Sequence, residues 1–196
     1  MFLFDNGRIR ISVGFCLLLA WFLQANGAEL LLMMLGAAAV HELGHCVVLS
    51  WLGGHIRNLQ LSVFGALMET DSRCLSYAGE AAAVLAGPFA NFLGAVFFSL
   101  ADTSLCRVFT GANLALCLFN LLPIRPLDGG RALELGVSLL WGTRAGECAA
   151  RIVGACFALG LGMTLVWLVV DTGGSLWLLP AIAGMGIAAW RECLGK

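Results

Sequence analysis

The chain reads as an all-α polytopic membrane protein: six transmembrane helices with a short membrane-associated β-hairpin between the second and third. Three observations predict this. Of 196 residues, 60% are hydrophobic and 12% charged, whereas the apolar share of a soluble domain is about half; the mean hydropathy is +0.92. The apolar residues gather into six segments, most of them approaching the roughly 20 residues that a spanning helix needs. Between the second and third, residues 56–65 switch to the two-residue alternation of a strand.

The first segment, Ile9 to Leu23, follows Arg8. A cleaved secretory signal is the competing reading, because Ala25-Asn26-Gly27-Ala28 offers small residues for processing; a retained helix gives a cytoplasmic N-terminus and an even number of spans. The second segment runs from Ala28 to Leu52 and stops at Gly53-Gly54. Leu59, Leu61 and Val63 then alternate with Asn58, Gln60 and Ser62, and residues 66–73 can return as the hairpin partner. An exposed edge of this ribbon would hold substrate as an added strand; a lid-like surface loop is the other reading. Tyr77 to Leu100 forms the third segment, Val108 to Leu122 a short fourth ending at Pro123, Arg151 to Val170 the fifth, and Ser175 to Trp190 the sixth.

Basic residues set the orientation, because positive charge stays on the cytoplasmic side of short loops. With the N-terminus inside, Arg8, Arg10, Arg57, Arg73, Arg125, Arg131, Arg144, Arg151, Arg191 and Lys196 are cytoplasmic and only Arg107 lies outside. Both termini are then cytoplasmic. Trp21, Trp51, Trp141, Trp167, Trp177 and Trp190 fall at or near segment ends, as an interfacial aromatic belt requires.

Within the second segment His41-Glu42-Leu43-Gly44-His45 spells HExxH. Residues i and i+4 share a helix face, so two neutral imidazoles can bind one zinc ion while Glu42 reaches the water beside it as general base. Three polar groups pairing with one another inside a bundle would be the bland reading, but such groups are costly at membrane depth unless they have a task there. Catalytic zinc normally takes three protein ligands. His55, the remaining histidine, follows the Gly53-Gly54 stop and belongs to a turn. Asp128 lies in Asn120-Leu121-Leu122-Pro123-Ile124-Arg125-Pro126-Leu127-Asp128-Gly129-Gly130, where two prolines break the helix and two glycines permit an unusual backbone. The second and fourth segments both run from outside to inside, which brings Asp128 to the cytoplasmic third of the bilayer, the level of the histidines. An ordinary helix-to-loop transition at the cytoplasmic surface is the alternative for this stretch.

Eight cysteines contain no CxxC pair, and five fall in or beside apolar segments, where cysteine acts as a small hydrophobe. Cys46 is turned about a quarter of the way round the helix from His45 and is not counted as a ligand. A net charge of -1 and the lack of a basic stripe exclude nucleic-acid binding.

HELGH at 41–45, Ala86-Gly87-Pro88-Phe89-Ala90-Asn91 in the third segment, and NLLPIRPLDGG at 120–130 together resemble the site-2 protease family of intramembrane zinc metalloproteases. The resemblance implies that His41, His45 and Asp128 bind Zn2+, that Glu42 is the general base, and that Asn120 positions substrate or polarises the scissile carbonyl. Pro88 and Asn91 look structural, the asparagine satisfying backbone freed by the proline. The compact form, with no inserted PDZ-like domain and only six residues after Trp190, is most similar to the sporulation-type subgroup. Residues 1–196 then form one integral-membrane protease domain, with a catalytic core at about 28–135, in a bacterial cytoplasmic or forespore membrane. The implied partners are the lipid bilayer, a membrane-tethered substrate such as a pro-sigma or anti-sigma factor, and inhibitory membrane proteins. A catalytically idle scaffold of the same fold is the competing class, against which the intact HExxH and Asp128 argue. A small ion or proton transporter is a third class, and the chain lacks the internal repeats expected of one.

Overall fold

In the computed structural model, which describes residues 2–5, 9–62, 65–71, 75–125 and 127–171, the first two predicted segments join in one long helical stretch, α1 (Val13–Trp51), interrupted at Gly27. Gly27 has φ 85° and ψ 169°, a conformation that no helix contains and that only glycine adopts at little cost. The Ser12 side chain caps the start of α1 by accepting from the Phe15 amide at 3.1 Å. The stretch ends at Leu52, whose amide bonds back to the Val48 carbonyl, and Gly53 follows at φ 79°.

The strand alternation predicted after α1 is present and larger than expected. β1 (Phe2–Asp5), β2 (Ile9–Ser12), β3 (His55–Ser62) and β4 (Gly65–Asp71) form a four-stranded sheet in that order. β3 and β4 pair antiparallel from His55 opposite Asp71 to Ser62 opposite Gly65, while β2 runs parallel to β3 with Ile9 opposite Leu59 and Ile11 opposite Leu61. Two corrections follow. Residues 9–12 are strand, so the first helix starts at Val13. The ribbon that was expected to offer an exposed edge does so along β4 alone, because β2 pairs with the other side of β3.

α2 (Tyr77–Ser99) matches the third predicted segment. Its N-cap, Ser76, accepts from the Gly79 amide at 3.2 Å, and Pro88 lies within it. Small residues let α1 and α2 approach closely: a Cβ added at Gly44 would stand 2.5 Å from the Ala86 carbonyl oxygen and 2.7 Å from the Ala90 Cβ. Such contacts are the usual basis of helix association where lipid removes the hydrophobic drive between helices. α3 (Ser104–Asn120) carries the fourth segment.

The chain divides into two compact units, 1–117 and 118–196. In the second, α4 (Asp128–Trp141) follows the proline-containing connection and leads through Gly142, at φ 86°, into α5 (Thr143–Asp171). α5 begins eight residues before the predicted fifth segment, and α4 was not anticipated; the sixth segment, Ser175 to Trp190, lies outside the described residues. Ile124 and Ala158 are each 1% exposed and pack with Leu122 and Leu127. Gly146 lies so close to Ser138 and the Glu134 carbonyl that a methyl group there would overlap them.

Among the described residues three helices are long and apolar enough to cross a membrane: α1, α2 and α5. Their outer faces expose large apolar side chains, Leu17, Leu32, Phe97, Met163 and Val170 among them. Lipid, not water, is the solvent that such surfaces fit.

Candidate metal centre

The helical period of α1 stacks His41 over His45, and their Nε2 atoms face each other at 3.1 Å. The rings meet edge to face with centroids 4.7 Å apart. On its other side, His45 Nδ1 lies 2.8 Å from the Ala83 carbonyl oxygen of α2. A carbonyl oxygen only accepts, so His45 Nδ1 carries the hydrogen, and in the neutral ring its Nε2 then presents a lone pair toward His41. His41 Nδ1 lies 2.6 Å from Asn91 Oδ1. Each imidazole is thus held from outside the pair by an oxygen, the arrangement that orients histidine ligands of a metal, and the converging Nε2 atoms suit zinc.

Neighbouring positions make room for this pair. Gly87 faces the His45 ring so closely that a Cβ would overlap it. Asn91 is fully buried, and its Nδ2 donates to the Ala37 carbonyl of α1 and to Asn113 Oδ1 of α3, each at 2.9 Å. The structure therefore corrects the expectation for Asn91: its amide does not serve backbone freed by Pro88 but ties α2 to α1, to α3 and to His41. Asn113 and the Ala83 carbonyl went unnoticed in the sequence. Asn113 did leave a signal, a primary amide inside an apolar run, whereas a backbone carbonyl leaves none.

Glu42 follows His41 on α1 and is half-buried. In the second unit, Asn120 closes α3 and Asp128 opens α4, the two flanking the proline-containing connection. Leu127, the N-cap of α4, supplies no side-chain cap, and Asp128 in the first turn suits the positive end of the helix dipole. Gly129 and Gly130 are not at positive φ, so they do not supply the unusual backbone predicted for them. They supply close approach instead: a Cβ at Gly129 would overlap the Leu121 carbonyl, and one at Gly130 would stand 2.6 Å from the Ile124 carbonyl carbon. Ion pairing of Arg125 with Glu134 at 2.7 Å braces the same turn. His55 heads β3, and Cys46 is half-buried on α1.

No family model matches the chain. It is 34% identical over 202 residues to Rip3, described as a zinc metalloprotease, of Mycobacterium tuberculosis, a match covering 91% of this chain and 48% of the relative. It is 31% identical over 173 residues to stage IV sporulation protein FB of Bacillus subtilis, covering 81% and 59% respectively. The chain thus spans about half the length of these curated relatives. Among solved structures, the site-2 protease of Methanocaldococcus jannaschii superposes with a TM-score of 0.69 at 23% identity, covering 98% of this chain and 94% of that one.

Proposed function

We propose that the chain is an intramembrane endopeptidase of the site-2 protease type, hydrolysing a peptide bond in or near the transmembrane segment of a membrane-tethered protein; its similarity to zinc metalloproteases and to the site-2 protease fold supports this reading. The observation that carries this reading is the pair of imidazoles on α1, oriented by outside oxygens with their Nε2 atoms converging. Asp128 is the third ligand, and His41, His45 and Asp128 together make a donor set of two imidazoles and one carboxylate, a composition that zinc takes.

Zinc, when bound, supplies a Lewis acid that polarises the scissile carbonyl and acidifies water. Glu42 takes a proton from the attacking water, whose oxygen bonds to the carbonyl carbon. It then delivers that proton to the amide nitrogen as the C–N bond breaks. Asn120 steadies the substrate carbonyl. Residues 1–196 act as one protease domain with six spans, both termini cytoplasmic and the site in the cytoplasmic third of the bilayer. Substrate enters from the membrane, is unwound, and is held in extended form along β4, an edge of the sheet. A regulatory factor, either a pro-sigma or an anti-sigma factor, is the substrate class, and membrane proteins that cover this entry inhibit the enzyme.

The test is coexpression with membrane-tethered pro-sigma and anti-sigma factors, comparing wild type with Glu42→Gln. Removal of a general base lowers turnover by about two to four orders of magnitude, so the variant should bind zinc and release no fragment. Full cleavage by Glu42→Gln refutes the mechanism.

A further inference from the structure

Asn113 has no part in the chemistry above, yet it begins a chain of hydrogen bonds that ends on His41. The fixed point is the Phe109 carbonyl, to which Asn113 Nδ2 donates at 2.9 Å. That contact turns Asn113 Oδ1 toward α2, where it accepts from Asn91 Nδ2 at 2.9 Å. Asn91 Nδ2 also donates to the Ala37 carbonyl at 2.9 Å. Both hydrogens of the Asn91 amide are then spent on oxygens that only accept, and its own Oδ1 is the atom left to face His41 Nδ1 at 2.6 Å.

We propose that Asn91 and Asn113 are positioning residues that hold His41 in the Nδ1–H tautomer, so that its Nε2 lone pair is available to zinc. Two arrangements of His41 compete. With hydrogen on Nε2, the ring would donate to His45 Nε2 at 3.1 Å, closing the two histidines on each other and leaving a lone pair against Asn91 Oδ1. With hydrogen on Nδ1, every oxygen in the chain receives a donor, and the Nε2 lone pairs of His41 and His45 face each other at 3.1 Å, a repulsion that a bound cation relieves. Flipping the Asn91 amide would press its oxygen against the Ala37 carbonyl and Asn113 Oδ1. Asn91 and Asn113 are 0% exposed and His41 7%, so water is not at hand to repair a mismatch, and a buried unsatisfied oxygen is costly. The direction of the whole chain is therefore set by a backbone carbonyl of α3. His45 differs, since one carbonyl, that of Ala83, sets its tautomer directly.

The proposal rests on the zinc reading only for the use made of the lone pair, and its test does not need activity. The full chain is prepared zinc-free with 15N-labelled histidine; with three histidines in all, signals are assigned by replacing one at a time. Ring 15N shifts distinguish a nitrogen that carries hydrogen from one that does not. Wild type should show Nδ1–H at both His41 and His45. In Asn91→Leu, His41 should lose that form while His45 keeps it, and zinc affinity measured by chelator competition should fall about 10- to 100-fold. Asn113→Leu should move both readouts in the same direction by less. An Nε2–H form of His41 in zinc-free wild type overturns the proposal without any variant having to fold. So do an unchanged His41 spectrum and unchanged zinc affinity in the two variants. Full cleavage by Glu42→Gln would instead refute Glu42 as general base and leave the tautomer spectrum as it is.

Discussion

The histidine pair and the aspartate turn are built by opposite means. On α1, two histidines are delivered by a regular helical repeat, and their aim is set by side chains and carbonyls of neighbouring helices: Asn91, Asn113 and Ala83. At 121–130 no repeat operates. Asp128 is set by backbone against backbone, with Gly129 and Gly130 seated on the carbonyls of the preceding turn. The first design puts its precision into hydrogen bonds, the second into the absence of side chains. A lost hydrogen bond at the first should therefore cost metal affinity, whereas an added methyl at the second should cost the fold of the turn.

The largest effect should come from that added methyl. Gly129→Ala places a Cβ on the Leu121 carbonyl, which cannot rotate away as a side chain can. Overpacking costs about 1–3 kcal/mol, and a backbone obstacle puts this variant near the top of that range. Thermal unfolding should shift down, with zinc and cleavage lost together. A stable, active Gly129→Ala would break the contrast between the two regions.

Gly87→Ala makes the matching intrusion at the histidine pair, where the obstacle is the His45 ring, a side chain that can turn about its own bonds. The ring should turn, give up its bond to the Ala83 carbonyl and weaken zinc binding by about 10-fold or more, with α2 still folded. Circular dichroism and chelator competition separate these outcomes. If Gly87→Ala unfolds the protein instead, the histidine region is as rigid as the turn. The smallest effect belongs to Ser76→Ala, which removes the cap of α2 and should cost about 1 kcal/mol of stability. Its zinc affinity should match wild type, because the cap touches neither region.

The same contrast explains what could be read in the sequence. His41, Glu42 and His45 were legible because helical spacing alone places them, and α2 because its apolar run has clear ends. Asp128 stood out by its surroundings, but the purpose of Gly129 and Gly130 did not, since close approach involves the carbonyls of Leu121, Leu122 and Ile124, which carry no residue signature. α4 was hidden by Arg131 and Glu134, charges that read as a loop after an apolar segment. β2 was absorbed into the first helix because Ile9-Arg10-Ile11 is too short an alternation by itself, and its partner, Leu59 to Leu61, lies some 50 positions away. Asn91 was noticed and given the wrong neighbour. A local argument looks to the proline three residues before it, while the bonds it makes are to other helices.

The central claim is that the histidines of α1 hold a zinc ion, and the most direct measurement is the zinc content per chain of the purified protein. Wild type and Glu42→Gln should each carry one equivalent of zinc after dialysis, and His41→Ala and His45→Ala close to none. Equal zinc in all four proteins, or none in wild type after reconstitution, would contradict the account.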